Sequence, residues 1–330
     1  MSHGGNLAAV ARQFGIAPDR ILDFSANVNP YGLPPRAAER LAREAADPHL
    51  LAAYPDPDAG ELRAALAAHL DVPPESIVIA SGADALIHAV LRALAPRRCV
   101  IPQPAFSEYA RAASANRGDG PDLLILNNPH NPTGACLSRA AMLERVAGIS
   151  VLADEAFVDY VPEAAITRDA AARAGLVSIR SLTKFYGAPG LRAGYAVAEP
   201  ATARAIAAQL PPWPVTTLAL NAFAEALRDR DYARETIERN RRAREVLARD
   251  LAALGCEVLP SAANFLLVRV ADAIGLRDLL IRHHAILVRE CESFEGLERG
   301  RYLRIAVRRE SENRCLVEAL REILCRSTHA

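Results

Sequence analysis

Long apolar runs are missing. Of the 330 residues 51% are apolar, yet no uninterrupted stretch approaches the ~20 residues that a membrane-crossing helix needs. The opening Met1-Ser2-His3-Gly4-Gly5-Asn6 has neither a basic start nor an apolar centre, so no signal peptide is expected. Net charge is missing too. Thirty-nine Lys plus Arg balance 39 Asp plus Glu, which removes the global field that would draw nucleic acid or an anionic membrane surface. Six cysteines (Cys99, Cys136, Cys256, Cys291, Cys315, Cys325) are scattered, without a C-x-x-C pair or metal-ligand spacing. They read as reduced thiols of a cytoplasmic protein that holds no metal. Internal repeats and low-complexity tails are also absent, which excludes solenoids and linkers. What remains is a soluble, enzyme-sized chain with enough apolar residues for about two domains.

The pattern along the chain is that of an α/β protein. A short helix over Leu7–Phe14 and an extended run Ile21–Ser25 open it. The turn-forming stretch Asn27–Pro35 follows, read as the passage between domains. Helices are expected over Arg36–Ala46 and Gly60–Leu70. From Ile77 onward, short β-branched runs alternate with helical ones, as in a parallel sheet. These runs are Ile77–Ala80, Cys99–Pro102, Leu123–Leu126, Ser150–Ala153, Val177–Arg180 and Ala193–Ala198. A helical stretch from Thr202 to Leu254 must be interrupted at Pro211, Pro212 and Pro214. Beyond it, strands at Cys256–Leu259, Asn264–Val270, His284–Val288 and Tyr302–Val307 form a smaller sheet, covered by helices at Gly275–Arg282 and Ser311–Leu324. The expected division is an amino-terminal segment 1–30 packing with the small domain, a large domain 31–205 and a small α+β domain 206–330.

Chemistry concentrates at strand ends. Ser181-Leu182-Thr183-Lys184 is followed by a Gly/Pro-rich turn and by Arg192, eight positions beyond the lysine. A single lysine is more often a solvated surface group, but this layout suits an amine condensed with an aldehyde. Ser181, Thr183 and the guanidinium fork of Arg192 would then grip a phosphate. Ser81-Gly82-Ala83-Asp84 turns a strand into a helix, whose first N–H groups attract phosphate. Asn128-Pro129-His130-Asn131-Pro132-Thr133-Gly134 follows a strand directly, at the edge where open α/β sheets bind ligands. Asp154, ending the next strand, could lie against a protonated ring nitrogen or simply cap a turn.

The run Ser181–Tyr195 with Asn131-Pro132-Thr133-Gly134 resembles the pyridoxal 5'-phosphate (PLP) enzymes of the aspartate aminotransferase fold, fold type I, over nearly the whole chain. The resemblance implies a large domain with a mostly parallel, seven-stranded-type sheet and a small α+β domain. It makes Lys184 and Asp154 the catalytic pair, with Gly82, Ala83, Asp84, Ser181, Thr183 and Arg192 on the cofactor phosphate. Asn131 would bond the ring hydroxyl and Phe106 would stack on the ring. Tyr54 would reach the cofactor of a second copy, hence a homodimer, and Arg304 would hold the substrate carboxylate. Many relatives carry tyrosine where Phe157 stands, and phenylalanine cannot supply that hydroxyl.

Two subfamilies share these signatures, the histidinol-phosphate aminotransferases and the threonine-phosphate decarboxylases of cobalamin biosynthesis. His3-Gly4-Gly5-Asn6 and Leu22–Gly32 look like the decarboxylase pattern. That pattern implies a small phosphorylated amino acid as substrate, with Asn27 near its carboxylate; His3, Arg289 and Arg308 compete for its phosphate. Between Tyr109 and Leu123 only about a dozen residues remain where relatives have a further strand and helix, near the minimum for a crossover. An edge unit is therefore expected to be absent, which keeps a degenerate PLP-fold binding protein as a third reading.

Overall fold

The structure is a computed structural model and describes residues 4–327. After a first strand, β1 (Leu22–Asp23), come β2 (Ile77–Ala80), β3 (Cys99–Val100), β4 (Leu123–Asn127), β5 (Ser150–Asp154), β6 (Leu176–Ser181) and β7 (Gly194–Ala198). β2 to β7 form one sheet in the order β2-β7-β6-β5-β4-β3. The steps from β3 to β6 are parallel, and β7 runs antiparallel to both its neighbours. β2, β6 and β7 are buried along their whole length, as strands covered on both faces must be. β2 and β7 accordingly read as apolar runs, whereas β6 buries Ser178, Arg180 and Ser181 as well.

The expected loss of an edge unit takes a definite form. The sheet has six strands, and β3 is its terminal strand. Helix Ser107–Ala115 still forms, and the chain then returns to β4 alongside residues 95–98. Gly118 and Gly120 make the return possible. A Cβ on Gly118 would lie 2.6 Å from the Ala95 carbonyl oxygen, and one on Gly120 would lie 2.2 Å from that of Leu94. An edge of two residues offers little template for pairing with another chain.

The smaller sheet orders β11 (Arg289–Glu290), β12 (Tyr302–Ala306), β9 (Phe265–Arg269) and β8 (Glu257–Val258), all antiparallel. β1 pairs in parallel with β10 (Ile286–Leu287). Val10, Ala11 and Ile21 pack against Ile281 and Leu287, and Phe24 joins the small sheet's core.

The long helical stretch divides into Pro200–Ala207, Thr217–Arg228 and Arg230–Ala253. The prolines explain the first break. The second was not anticipated: Asp229 leaves helical geometry and its carboxylate caps the next helix by accepting from the Tyr232 N–H at 2.9 Å. Helix Thr217–Arg228 buries Leu220 and Phe223 in the cluster that holds Leu62, Val151 and Tyr195. Helix Arg230–Ala253 then runs on to place Leu247 and Leu251 beneath the small sheet.

Candidate active site

The carboxyl ends of β4, β5 and β6 converge with β2's exit and the small sheet on a cavity of about 230 Å³. β2 ends in a turn at Gly82, which has φ +91°, and helix Ala83–Leu94 begins at once. Only glycine suits that backbone, and a Cβ there would lie 2.8 Å from Nη2 of Arg192. The Arg192 guanidinium is thus pressed against free N–H groups at a helix start, a cradle for a phosphate. Ser181 and Thr183 bring hydroxyls 2.9 Å apart to the same cavity. Asp84 lines it too and pairs with Arg111 at 3.5 Å. Arg111 also bonds Glu108, so the cluster of Asp84, His88 and Glu108 at this rim has its carboxylates engaged by a cation.

Lys184 sits in the short helix Leu182–Phe185 directly after β6, and its backbone carbonyl accepts from the Asn29 N–H at 2.9 Å. The Asn29 side chain donates to the Phe185 carbonyl at 2.8 Å and meets the Tyr232 hydroxyl at 2.9 Å. Burial, and then the guanidiniums of Arg304 and Arg192, push the Lys184 amine down to about 8 against the pull of Asp154. It is the only lysine in the chain.

Asp154 is buried at the end of β5, where Oδ1 accepts from the Ala156 N–H at 2.9 Å and Oδ2 from the Tyr109 hydroxyl at 2.5 Å. Burial raises its pKa, and these bonds and Lys184 oppose the rise. Asn131 donates its N–H to Asn127 Oδ1 at 2.6 Å, while its own Oδ1 accepts from Arg304 Nη1 at 2.7 Å. That leaves the amide NH₂ to serve the cavity. Phe106, immediately before helix Ser107–Ala115, supplies an aromatic wall. Phe157 lines the cavity as well, edge-on to Phe265 at 5.0 Å, with no hydroxyl to offer.

The small sheet closes the far side. Arg304 is buried on β12 and also donates to the Ser25 carbonyl at 2.9 Å, while its Nε has no hydrogen-bond partner. Burial first, with Arg289 adding to it, brings its pKa down to about 10. Arg289 is the cross-strand partner of Arg304 in register, and it donates to Ser293 Oγ at 2.7 Å. Asn27 is buried beside them with Oδ1 unpartnered.

Two expected residues do not line this cavity within the single chain. Tyr54 is 78% exposed and stacks on Trp213 with centroids 4.5 Å apart. Arg308, offered for the substrate phosphate, does not line the cavity. Its guanidinium donates to the Asp23 carbonyl at 2.9 Å and pairs with Glu312 at 2.8 Å. His3 lies outside the described residues. Conversely, Tyr109, Asn127, Ser25 and Ser293 belong to the site and were not singled out from sequence. Tyr109 stands three residues after Phe106, but its partner Asp154 lies 45 positions further on.

A buried amine of lowered pKa, a carboxylate behind it, a glycine-lined anion cradle and an aromatic wall fit PLP, which would rest between Phe106 and Lys184. Residues 19–121 and 116–320 match the family Aminotransferase class I and II. The chain belongs to that family and is a PLP-dependent enzyme of fold type I. It is 36% identical to threonine-phosphate decarboxylase of Salmonella typhimurium, over 98% of this chain and 96% of that protein. It is 35% identical to histidinol-phosphate aminotransferase of Roseiflexus castenholzii, over 96% and 93%. The crystal structure of L-threonine-O-3-phosphate decarboxylase from Porphyromonas gingivalis superposes with TM-score 0.83 at 29% identity, covering 92% of this chain and 99% of that one. Histidinol-phosphate aminotransferase from Sinorhizobium meliloti in complex with pyridoxal-5'-phosphate has TM-score 0.87 at 24% identity, over 97% and 95%, and shares the fold. No described helix is long and apolar enough to cross a membrane.

Proposed function

We propose that the enzyme decarboxylates L-threonine O-3-phosphate to (R)-1-aminopropan-2-ol O-phosphate, for the nucleotide loop of cobalamin. The observation that carries this reading is the pair Arg289 and Arg304, two buried cations in register on adjacent strands facing one cavity. Like charges so placed repel, and a substrate bearing two anionic groups, a carboxylate and a phosphate, relieves that repulsion. Arg304, whose planar fork suits a carboxylate, takes the carboxylate beside Asn27. Arg289 takes the phosphate, with His3 as a further contact.

Bound PLP supplies an electron sink for the bond broken at the α-carbon. Lys184 would hold the cofactor through Nζ and, once the substrate's amine has replaced it there, would supply the proton that takes the place of carbon dioxide at the α-carbon. Asp154 would keep the ring nitrogen protonated, and Asn131 would donate to the ring hydroxyl. Gly82, Ala83 and Asp84, through the helix-start N–H groups of the last two, would hold the cofactor phosphate with Ser181, Thr183 and Arg192, the Gly82 N–H itself donating to the Ala80 carbonyl at 2.7 Å. Tyr54 serves the site of a second copy in a cytoplasmic homodimer. The working division keeps 1–30 with the small unit and moves the boundary between the 31–205 and 206–330 regions into helix Arg230–Ala253. The burial of Leu220 and Phe223 supports that shift.

The near-equal identity to a histidinol-phosphate aminotransferase supports a second reading, amino-group exchange. Purified holoenzyme given threonine phosphate releases carbon dioxide on the first reading. On the second it releases none, and it exchanges amino groups between histidinol phosphate and 2-oxoglutarate.

A further inference from the structure

Tyr109 stands behind the carboxylate that faces the cofactor ring. Its side chain is buried (3% exposed), and its hydroxyl donates to Asp154 Oδ2 at 2.5 Å. The other oxygen, Oδ1, accepts from the Ala156 N–H at 2.9 Å. These two bonds fix the rotation of Asp154 and favour its charged form against the burial that raises its pKa. A carboxylate taken out of water is driven toward its neutral form, and donors on its oxygens counter that drive. Tyr109 reaches Asp154 because helix Ser107–Ala115 starts right after Phe106, which meets the Tyr109 ring edge-on at 5.6 Å and 84°. One short helix thus brings the aromatic wall to the cavity and the phenol to the layer beneath it. The same helix is retained although the chain is cut short just beyond it, at Gly118 and Gly120.

We infer that Tyr109 is a positioning residue for cofactor chemistry: its hydroxyl holds Asp154 ionised and aimed, and so sets how strongly the site prefers a protonated ring nitrogen. This inference rests on the reading that Asp154 faces that nitrogen. Its consequence is selective. Tyr109→Phe keeps the ring and its packing and removes one hydrogen bond to a carboxylate, so it acts on ligands that carry the ring nitrogen and spares those that lack it.

The experiment compares full-length wild type with Tyr109→Phe, each stripped of cofactor. The dissociation constants of PLP and of its carbocyclic analogue, in which C–H replaces the ring nitrogen, are measured by titration. Wild type binds PLP more tightly than the analogue. In Tyr109→Phe that preference shrinks by about tenfold, while the analogue's own affinity stays at the wild-type value and reports an intact fold. A preference as large in Tyr109→Phe as in wild type overturns the inference and leaves the role of Asp154 standing. A wild type that does not distinguish the two ligands overturns both. Loss of affinity for both ligands in equal measure makes Tyr109 a packing residue and overturns the inference alone.

Discussion

The two walls of the cavity differ in how finished they are. On the wall built by β4, β5 and β6, both oxygens of Asp154 are bonded, Ser181 and Thr183 face each other at 2.9 Å, and Asn131 is held through its N–H and its Oδ1. On the wall built by β11 and β12, the Arg304 Nε and Asn27 Oδ1 are buried without partners, and two guanidiniums stand in register. The first wall is preorganised for a ligand that stays. The second keeps its cations close together, with Glu290 3.6 Å from Arg289 as a counter-charge, so on the proposed reading part of the binding energy is tied to the substrate's own charges.

Changes confined to one wall should leave the other intact, and the largest effect belongs to Lys184. Lys184→Ala lowers turnover by at least ~10³-fold. It also leaves no lysine in the chain, so borohydride-treated protein given PLP shows no lysine-linked cofactor by intact mass, where wild type shows one. On the opposite wall, Arg304→Ala lowers kcat/KM for threonine phosphate by roughly 10²-fold, the cost of one buried charge contact, while the PLP dissociation constant stays within severalfold. A comparable loss of PLP would erase the distinction between the walls.

A smaller effect reads the strain in the cofactor-free protein. The Lys184 pKa falls from 10.5 to about 8 on folding, so between those values the unfolded chain binds more protons and stability rises with pH. The penalty is complete below pH 8 and gone above 10.5. Cofactor-free Lys184→Met is therefore about 3 kcal/mol more stable than wild type at pH 7, and urea unfolding shows the gap closing toward pH 10.5. Smallest is Gly82→Ala, which strains a backbone at φ +91° and crowds Arg192. It weakens PLP by about tenfold and stability by ~1 kcal/mol, with the substrate KM unchanged once cofactor is saturating.

Much of the cofactor wall was legible because its residues follow short strands rich in apolar residues, LLILN, SVLAD and LVSIRS, and such a run marks a strand of the sheet. Asn131, Asp154 and Lys184 each stand just after such a run or at its end, and all three line the cavity. The substrate wall was harder to read. Arg304 and Arg308 are four residues apart and would share a face of one strand, but β12 ends at Ala306 and Arg308 turns to Asp23 and Glu312. Tyr109 was hidden for another reason, since its role depends on a bond to a residue 45 positions later, which no local period encodes. The break at Asp229 and the burial of helix Thr217–Arg228 likewise depend on tertiary packing.

The stitching at Asn29 has a mechanical meaning. Five residues separate Asp23, which ends β1 against β10 of the small unit, from Asn29, which is fastened by backbone and side chain to Lys184 and Phe185. The small unit is thereby moored next to the reactive amine by a short tether, and Arg304, which donates to the Ser25 carbonyl at 2.9 Å, is fastened to that same tether.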